Sequence, residues 1–206
     1  MQGIAKKILN RVRGHGRGGW VCTPKDFVDL GSRDAVDKAL SRLVKQGFLR
    51  RVGRGLYDYP RTSNILKRPA PPNIDAVVEA LARRDGISIM PDGIVAAHQL
   101  GLTNAVPAQN SYITNGSSRT LQVGGRTIKL RHVSQRLMAW ANRPGGPVVR
   151  ALYWLGENIA ADKDVVNTLH NRLSSDIKED LAEGIKLLPT WMTPVVRQVS
   201  EGEGVS

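Results

Sequence analysis

The chain has 206 residues, with 30 Lys/Arg against 18 Asp/Glu, a formal net charge of +12 and a pI near 10.3. Its single cysteine, Cys22, excludes an internal disulfide and a cysteine-built metal site, and no stretch approaches the ~20 apolar residues of a membrane span. Residues 1–68 hold 16 Lys/Arg and 5 Asp/Glu, a net of +11, whereas residues 69–206 hold 14 and 13, a net of +1. A region as basic as the first repels itself unless it meets a polyanion, which points to nucleic acid as the partner.

Taken in order, Ile4, Ala5, Ile8, Leu9 and Val12 predict a helix over 2–12 with one apolar side. The N-terminus lacks the long apolar run of a secretory signal, so a cytoplasmic location is expected. Arg13 to Gly19 form a glycine-rich cationic loop without the Gly-Lys-Ser/Thr of a phosphate-binding P-loop, so a solvated loop and one that touches DNA phosphates through Arg17 remain open. Trp20 to Cys22 read as a short strand, with Cys22 as a small buried hydrophobe. Thr23-Pro24-Lys25-Asp26 is a capping box with proline at the first helical position, opening a helix that ends near Leu30-Gly31.

The stretch 32–59 organises the rest. Val36, Ala39, Leu40, Leu43 and Val44 give the spacing of a helix with one buried stripe, with Ser32 as N-cap, Asp34 in the first turn and Gly47 closing it. Its opposite face carries Arg33, Lys38, Ser41, Arg42 and Lys45. Phe48-Leu49-Arg50-Arg51-Val52 and Leu56-Tyr57-Asp58-Tyr59, joined through Gly53-Arg54-Gly55, read as a hairpin. A cationic helix feeding a cationic hairpin is the layout of a winged-helix DNA reader. The helix suits the major groove, and the arginine-tipped wing suits backbone or minor groove.

Residues 61–73 are proline-rich and basic and read as a linker or surface arm. A helix over 74–84 closing at Gly86, a strand at 87–90 and a helix from Asp92 to Gly101 follow. Ser111–Thr114 is β-prone, and Thr120–Val123 with Arg126–Val133 flank Gly124-Gly125 as a hairpin. From Gln135 the pattern is helical: Val148–Leu155 is apolar nearly all round, and Val165, Val166, Leu169 and Leu173 form one stripe. Ile177, Leu181, Ile185 and Leu188 form another on a helix stopped by Pro189. A last short helix opens near Thr193-Pro194, and residues 200–206 are expected to be disordered.

Catalytic signatures are missing. His15, His98, His132 and His170 have no HxxxH or HExxH spacing, so no metal site or cofactor is expected. Asp92 with Asp176-Ile177-Lys178 fits the acid, then acid-x-Lys pattern of metal-dependent nucleases only across an 84-residue gap, and Asp92 is better explained as a helix-opening residue. The expectation is a protein that is not an enzyme.

The segment SRDAVDKALSRLVKQGFLRRVGRGLYDYP resembles the N-terminal winged helix of AbiEi-type antitoxins of bacterial type IV toxin–antitoxin pairs. The stretch from Ile87 through Arg136 resembles the start of their second domain. The resemblance implies an α+β protein: a winged helix-turn-helix domain at 1–60, a linker at 61–73, and a mixed domain with a helical C-terminal half at 74–199. It also implies an autorepressor that binds inverted repeats in its own promoter as two copies on double-stranded DNA and that opposes a nucleotidyltransferase-like toxin with or without touching it. Carried over by position, Arg33, Lys38, Ser41, Arg42 and Lys45 match the DNA-facing helix, and Arg50, Arg51 and Arg54 the wing. A ligand-responsive transcription factor with a pocket between 87 and 155, or a nuclease built around Asp92, are the alternative readings.

Overall fold

The structure, a computed structural model, describes residues 3–63, 68–105 and 110–201. The fold class is α+β, with helices and two small sheets, one three-stranded in the order Val21–Cys22, Leu56–Asp58, Arg50–Gly53 and one four-stranded in the order Ile89–Pro91, Asn110–Thr114, Arg126–His132, Arg119–Val123. None of the described helices is long and apolar enough to cross a membrane. The chain divides into two compact units, Met1–Ile87 with Thr120–Ile128, and Ser88–Arg119 with Lys129–Ser206.

In the first unit, helix α1 (Ile4–Gly14) buries Ile8, Leu9 and Val12, and strand β1 (Val21–Cys22) follows the glycine-rich loop. The capping box forms: the Thr23 backbone N–H donates to Asp26 Oδ2 at 2.7 Å. The helix it opens, Pro24–Leu30, is of the 3-10 type and is kinked at Phe27 (φ −130°, ψ 15°), whose ring is fully buried, edge-on to Trp20. Helix α2 (Arg33–Lys45) begins where Ser32 Oγ accepts from the Ala35 N–H, and it buries Val36, Ala39, Leu40 and Leu43 as its periodicity requires. These side chains join Ile8, Val12, Phe27 and Leu49 in one core.

Strands β2 (Arg50–Gly53) and β3 (Leu56–Asp58) form the hairpin, with β3 in the middle of the sheet. The turn passes through Gly55 at φ 68°, a left-handed conformation that a side chain would strain. Asp58 lies opposite both Val21 and Arg50, and it is 1% exposed. Arg50 answers that buried charge, donating through Nε to Asp58 Oδ1 at 3.0 Å, and its NH1 donates to the Ala70 carbonyl at 2.7 Å.

The unit boundaries differ from the expected domains at 1–60 and 74–199. Helix α3 (Ile74–Asp85) clusters with the first unit, where Arg83 donates to the Val21 carbonyl at 2.9 Å and pairs with Asp26 at 3.5 Å. The described ends of the proline-rich stretch, 61–63 and 68–73, bond to one another. The Ala70 N–H bonds the Arg61 carbonyl at 2.7 Å, and Thr62 bridges to Pro69. Residues 64–67 of that stretch lie outside the described residues. The tip of the later hairpin also belongs here: the Gly124 N–H donates to the Val52 carbonyl at 3.1 Å, and Gly124 sits against the Pro72 ring.

The second unit holds β4 (Ile89–Pro91), α4 (Gly93–Gln99), β5 (Asn110–Thr114) and the ends of the hairpin strands β6 (Arg119–Val123) and β7 (Arg126–His132). Helices α5 (Gln135–Met138), α6 (Gly146–Leu155), α7 (Glu157–Ala160), α8 (Lys163–Arg172), α9 (Ser175–Glu183) and α10 (Met192–Glu201) complete it. Ile113, Trp140, Val149, Leu152, Leu169, Leu181 and Val196 centre its core. The single helix expected over Ile177–Leu188 breaks after Glu183 and resumes as a 3-10 turn, Ile185–Leu187. The edge of the Trp140 ring presses on Gly184 where a Cβ would stand, so only glycine fits there. Helix α10 runs to Glu201, two residues into the tail expected to be disordered, and 202–206 lie outside the described residues.

Two outcomes follow from this packing. Asp58→Asn leaves Arg50 without its counter-charge in the sheet, and urea unfolding should show a loss of about 3 kcal/mol, the lower end for breaking a buried pair because Arg50 is partly exposed. Cys22 has no exposed surface, and burial pushes its thiol well above the ordinary range. Ellman's reagent should therefore titrate no thiol in the native protein and one per chain in denaturant; rapid native labelling would contradict the packing around β1.

Candidate nucleic-acid interface

The polar face of α2 follows from its buried one. With Val36, Ala39, Leu40 and Leu43 turned inward, the helical period leaves Arg33, Lys38, Ser41, Arg42 and Lys45 exposed. Arg33 Nε donates to Asp37 Oδ2 at 2.9 Å, an i,i+4 pair with both side chains near half exposed, which water screens and a stronger anion can displace. Lys38, Arg42 and Lys45 have no ion pair among the described residues, so their charge is available to a ligand. Arg42 and Lys45 lie in the last turn, where the helix dipole also favours a cation.

The hairpin divides its three arginines. Arg51 is exposed opposite Tyr57, and Arg54 is exposed at the turn. Arg50 is different: three of its nitrogens are engaged by Asp58 and the Ala70 carbonyl, so its charge is neutralised inside the unit and it is not presented as a free wing cation. The Arg54 carbonyl accepts from Arg84 NH1 at 2.9 Å, Arg84 pairs with Asp85, and Lys25 Nζ donates to the Arg84 carbonyl at 2.6 Å. This ties the turn to the end of α3. Together Pro24, Lys25, Arg33, Arg54, Gly55, Arg84 and Asp85 line a cleft of about 360 Å3 that joins the first turn of α2 to the hairpin tip. Lys25 and Arg84 were not singled out by the sequence. Their roles depend on contacts 30 to 59 residues apart, which no local pattern encodes.

Arg17 stands elsewhere. Its guanidinium lies 4.4 Å from the Tyr59 ring centre and donates to the Pro60 carbonyl at 3.3 Å, so it sits beside the end of β3 rather than at the hairpin turn. It lines a second cleft, of about 430 Å3, with Gly18, Gly19, Arg50, Arg61, Ala70, Pro71 and Asn73.

The two carboxylates of the nuclease alternative both stand at helix starts. Asp92 caps α4 through the Gly93 N–H and pairs with Arg131 at 3.1 Å, and Asp176 occupies the first turn of α9. Among the described residues no three His, Cys, Asp or Glu side chains are grouped to hold a metal. His15 stacks on Trp20, while His132 and His170 each face a backbone carbonyl through Nδ1.

The crystal structure of the RV2827C protein from Mycobacterium tuberculosis is similar over 98% of this chain and 82% of that chain, at 13% identity and a TM-score of 0.41. No curated protein matches the sequence. Residues 7–191 match the model of DUF6088, a family of unknown function, and the chain belongs to that family.

Proposed function

We propose that the first unit is a winged helix-turn-helix domain that binds double-stranded DNA, with α2 entering the major groove and the β2–β3 turn resting on the backbone. The observation that carries this reading is the face of α2 where Lys38, Arg42 and Lys45 are exposed and unpaired, on a helix whose other side is locked into a core. The order of elements supports it: helix, short strand, helical segment, helix and hairpin, with β1 completing the sheet beside β3. The charge supports it too, since nearly all the chain's positive excess lies in residues 1–68.

Binding of this kind at inverted repeats in its own promoter makes the protein an autorepressor. Two copies suit such a site, because one chain offers one recognition helix and half-sites stand about 10 bp apart. The coupling of repression to antitoxin action against a nucleotidyltransferase-like toxin rests on the sequence resemblance alone.

The test compares operator and random DNA in gel-shift titrations. Arg42→Ala should weaken operator binding by about 1–3 kcal/mol, the worth of a bidentate arginine–guanine contact, with a much smaller loss on random DNA. Equal losses on both would make Arg42 a phosphate contact. Arg51→Ala/Arg54→Ala should lower the slope of log affinity against log salt by about 0.9 for each lost contact, without changing which sequence is preferred. An unchanged slope would place the hairpin away from DNA.

A further inference from the structure

The second cleft carries an inference of its own. Its cations are arranged by the protein rather than merely crowded. Arg17 is oriented by the Tyr59 ring beneath it and by the Pro60 carbonyl, and the neighbouring Gly18 N–H holds the Tyr59 carbonyl at 2.7 Å. Arg61 is exposed, and its side chain has no partner among the described residues. The Cβ of Arg61 lies 3.3 Å from where a side chain on Gly18 would begin, so glycine there keeps the two walls close. Arg50 contributes as structure: neutralised by Asp58, it fastens the Ala70 carbonyl and so holds the opposite wall, Ala70 and Pro71, in place.

No Asp or Glu lines this cleft, and two of its three arginines are uncompensated. Asn73 uses its side-chain oxygen to cap α3, accepting from the Asp75 and Ala76 N–H groups, which leaves its amide nitrogen as a donor. Donors without acceptors, two of them planar guanidinium groups, define a site for a multiply charged oxyanion. The volume, about 430 Å3, is within the usual range for small-molecule sites.

We infer that this cleft binds a phosphate group through Arg17, Arg61 and the Asn73 amide. The phosphate has two sources, a free phosphorylated compound or the DNA backbone. Only the second rests on the proposed DNA binding.

The test uses the full chain and two readouts: calorimetric titration with inorganic pyrophosphate, and the salt dependence of DNA binding. The Arg17→Ala/Arg61→Ala protein is compared with wild type. Pyrophosphate affinity reduced about tenfold or more, with an unchanged DNA salt slope, supports the site and identifies a free phosphate compound as its ligand. A salt slope lowered by about 0.9 for each arginine removed supports the site and identifies the DNA backbone. Wild-type affinity for pyrophosphate together with a wild-type slope overturns the inference. Arg61→Glu, which loses no side-chain partner, repeats both measurements should the double variant fold poorly. Arg42→Ala serves as the control: it should leave pyrophosphate binding unchanged, so failure of the DNA reading and failure of the cleft give different results.

Discussion

A carboxylate at 1% exposure stays compatible with a folded sheet only if a cation meets it, and in the first unit that cation is Arg50 on Asp58. Much of the unit depends on this contact. Asp58 is on the middle strand, facing β1 on one side and β2 on the other, so the pair fixes where the hairpin starts after α2. The third arm of Arg50 reaches the Ala70 carbonyl and draws the proline-rich stretch back onto the sheet. One side chain thus sets the sheet register, the position of the hairpin and a wall of the second cleft.

The same logic sorts the unit's other charges. Its acidic side chains are few, and most are assigned: Asp26 to Arg83, Asp29 to Arg11, Asp37 to Arg33 and Asp85 to Arg84. The Arg11 guanidinium hydrogen-bonds Asp29 and holds its carboxyl below the ordinary range. Arginines with such partners mostly join elements to one another. Among those without one, Arg42, Arg51, Arg54 and Arg61 are exposed on the helix, the hairpin and the loop after β3. A net charge says that a polyanion is wanted; the pairing pattern says which side chains are left to meet it.

Much of this fold was legible in the chain. Ser32 and Thr23 declared helix starts, the apolar spacing of α2 gave its buried face, and Gly124-Gly125 marked the hairpin, because each signal acts within a few residues. What escaped was set by distant partners. Phe27 kinks the segment its capping box opens, with its ring buried in the core, and Gly184, just after α9, has no room for a side chain because the Trp140 ring fills that space. The candidate site divides in the same way. The exposed face of α2 was readable by period. The neutralisation of Arg50, and the recruitment of Lys25 and Arg84, needed Asp58 and α3 in place.

The Gly124–Val52 hydrogen bond bears on how the molecule is made. The first unit is completed by residues 120–128, which the chain delivers only after it has already left that unit at Ile87. Emerging from a ribosome, α2 and its hairpin have their local contacts early, but the carbonyl of Val52 waits for some seventy more residues before its partner is synthesised. No single cut in the polypeptide yields a first unit with all its parts. The chain crosses between the units three times, so the first is not one continuous stretch of sequence, and the basic end of the protein matures only when synthesis is well advanced.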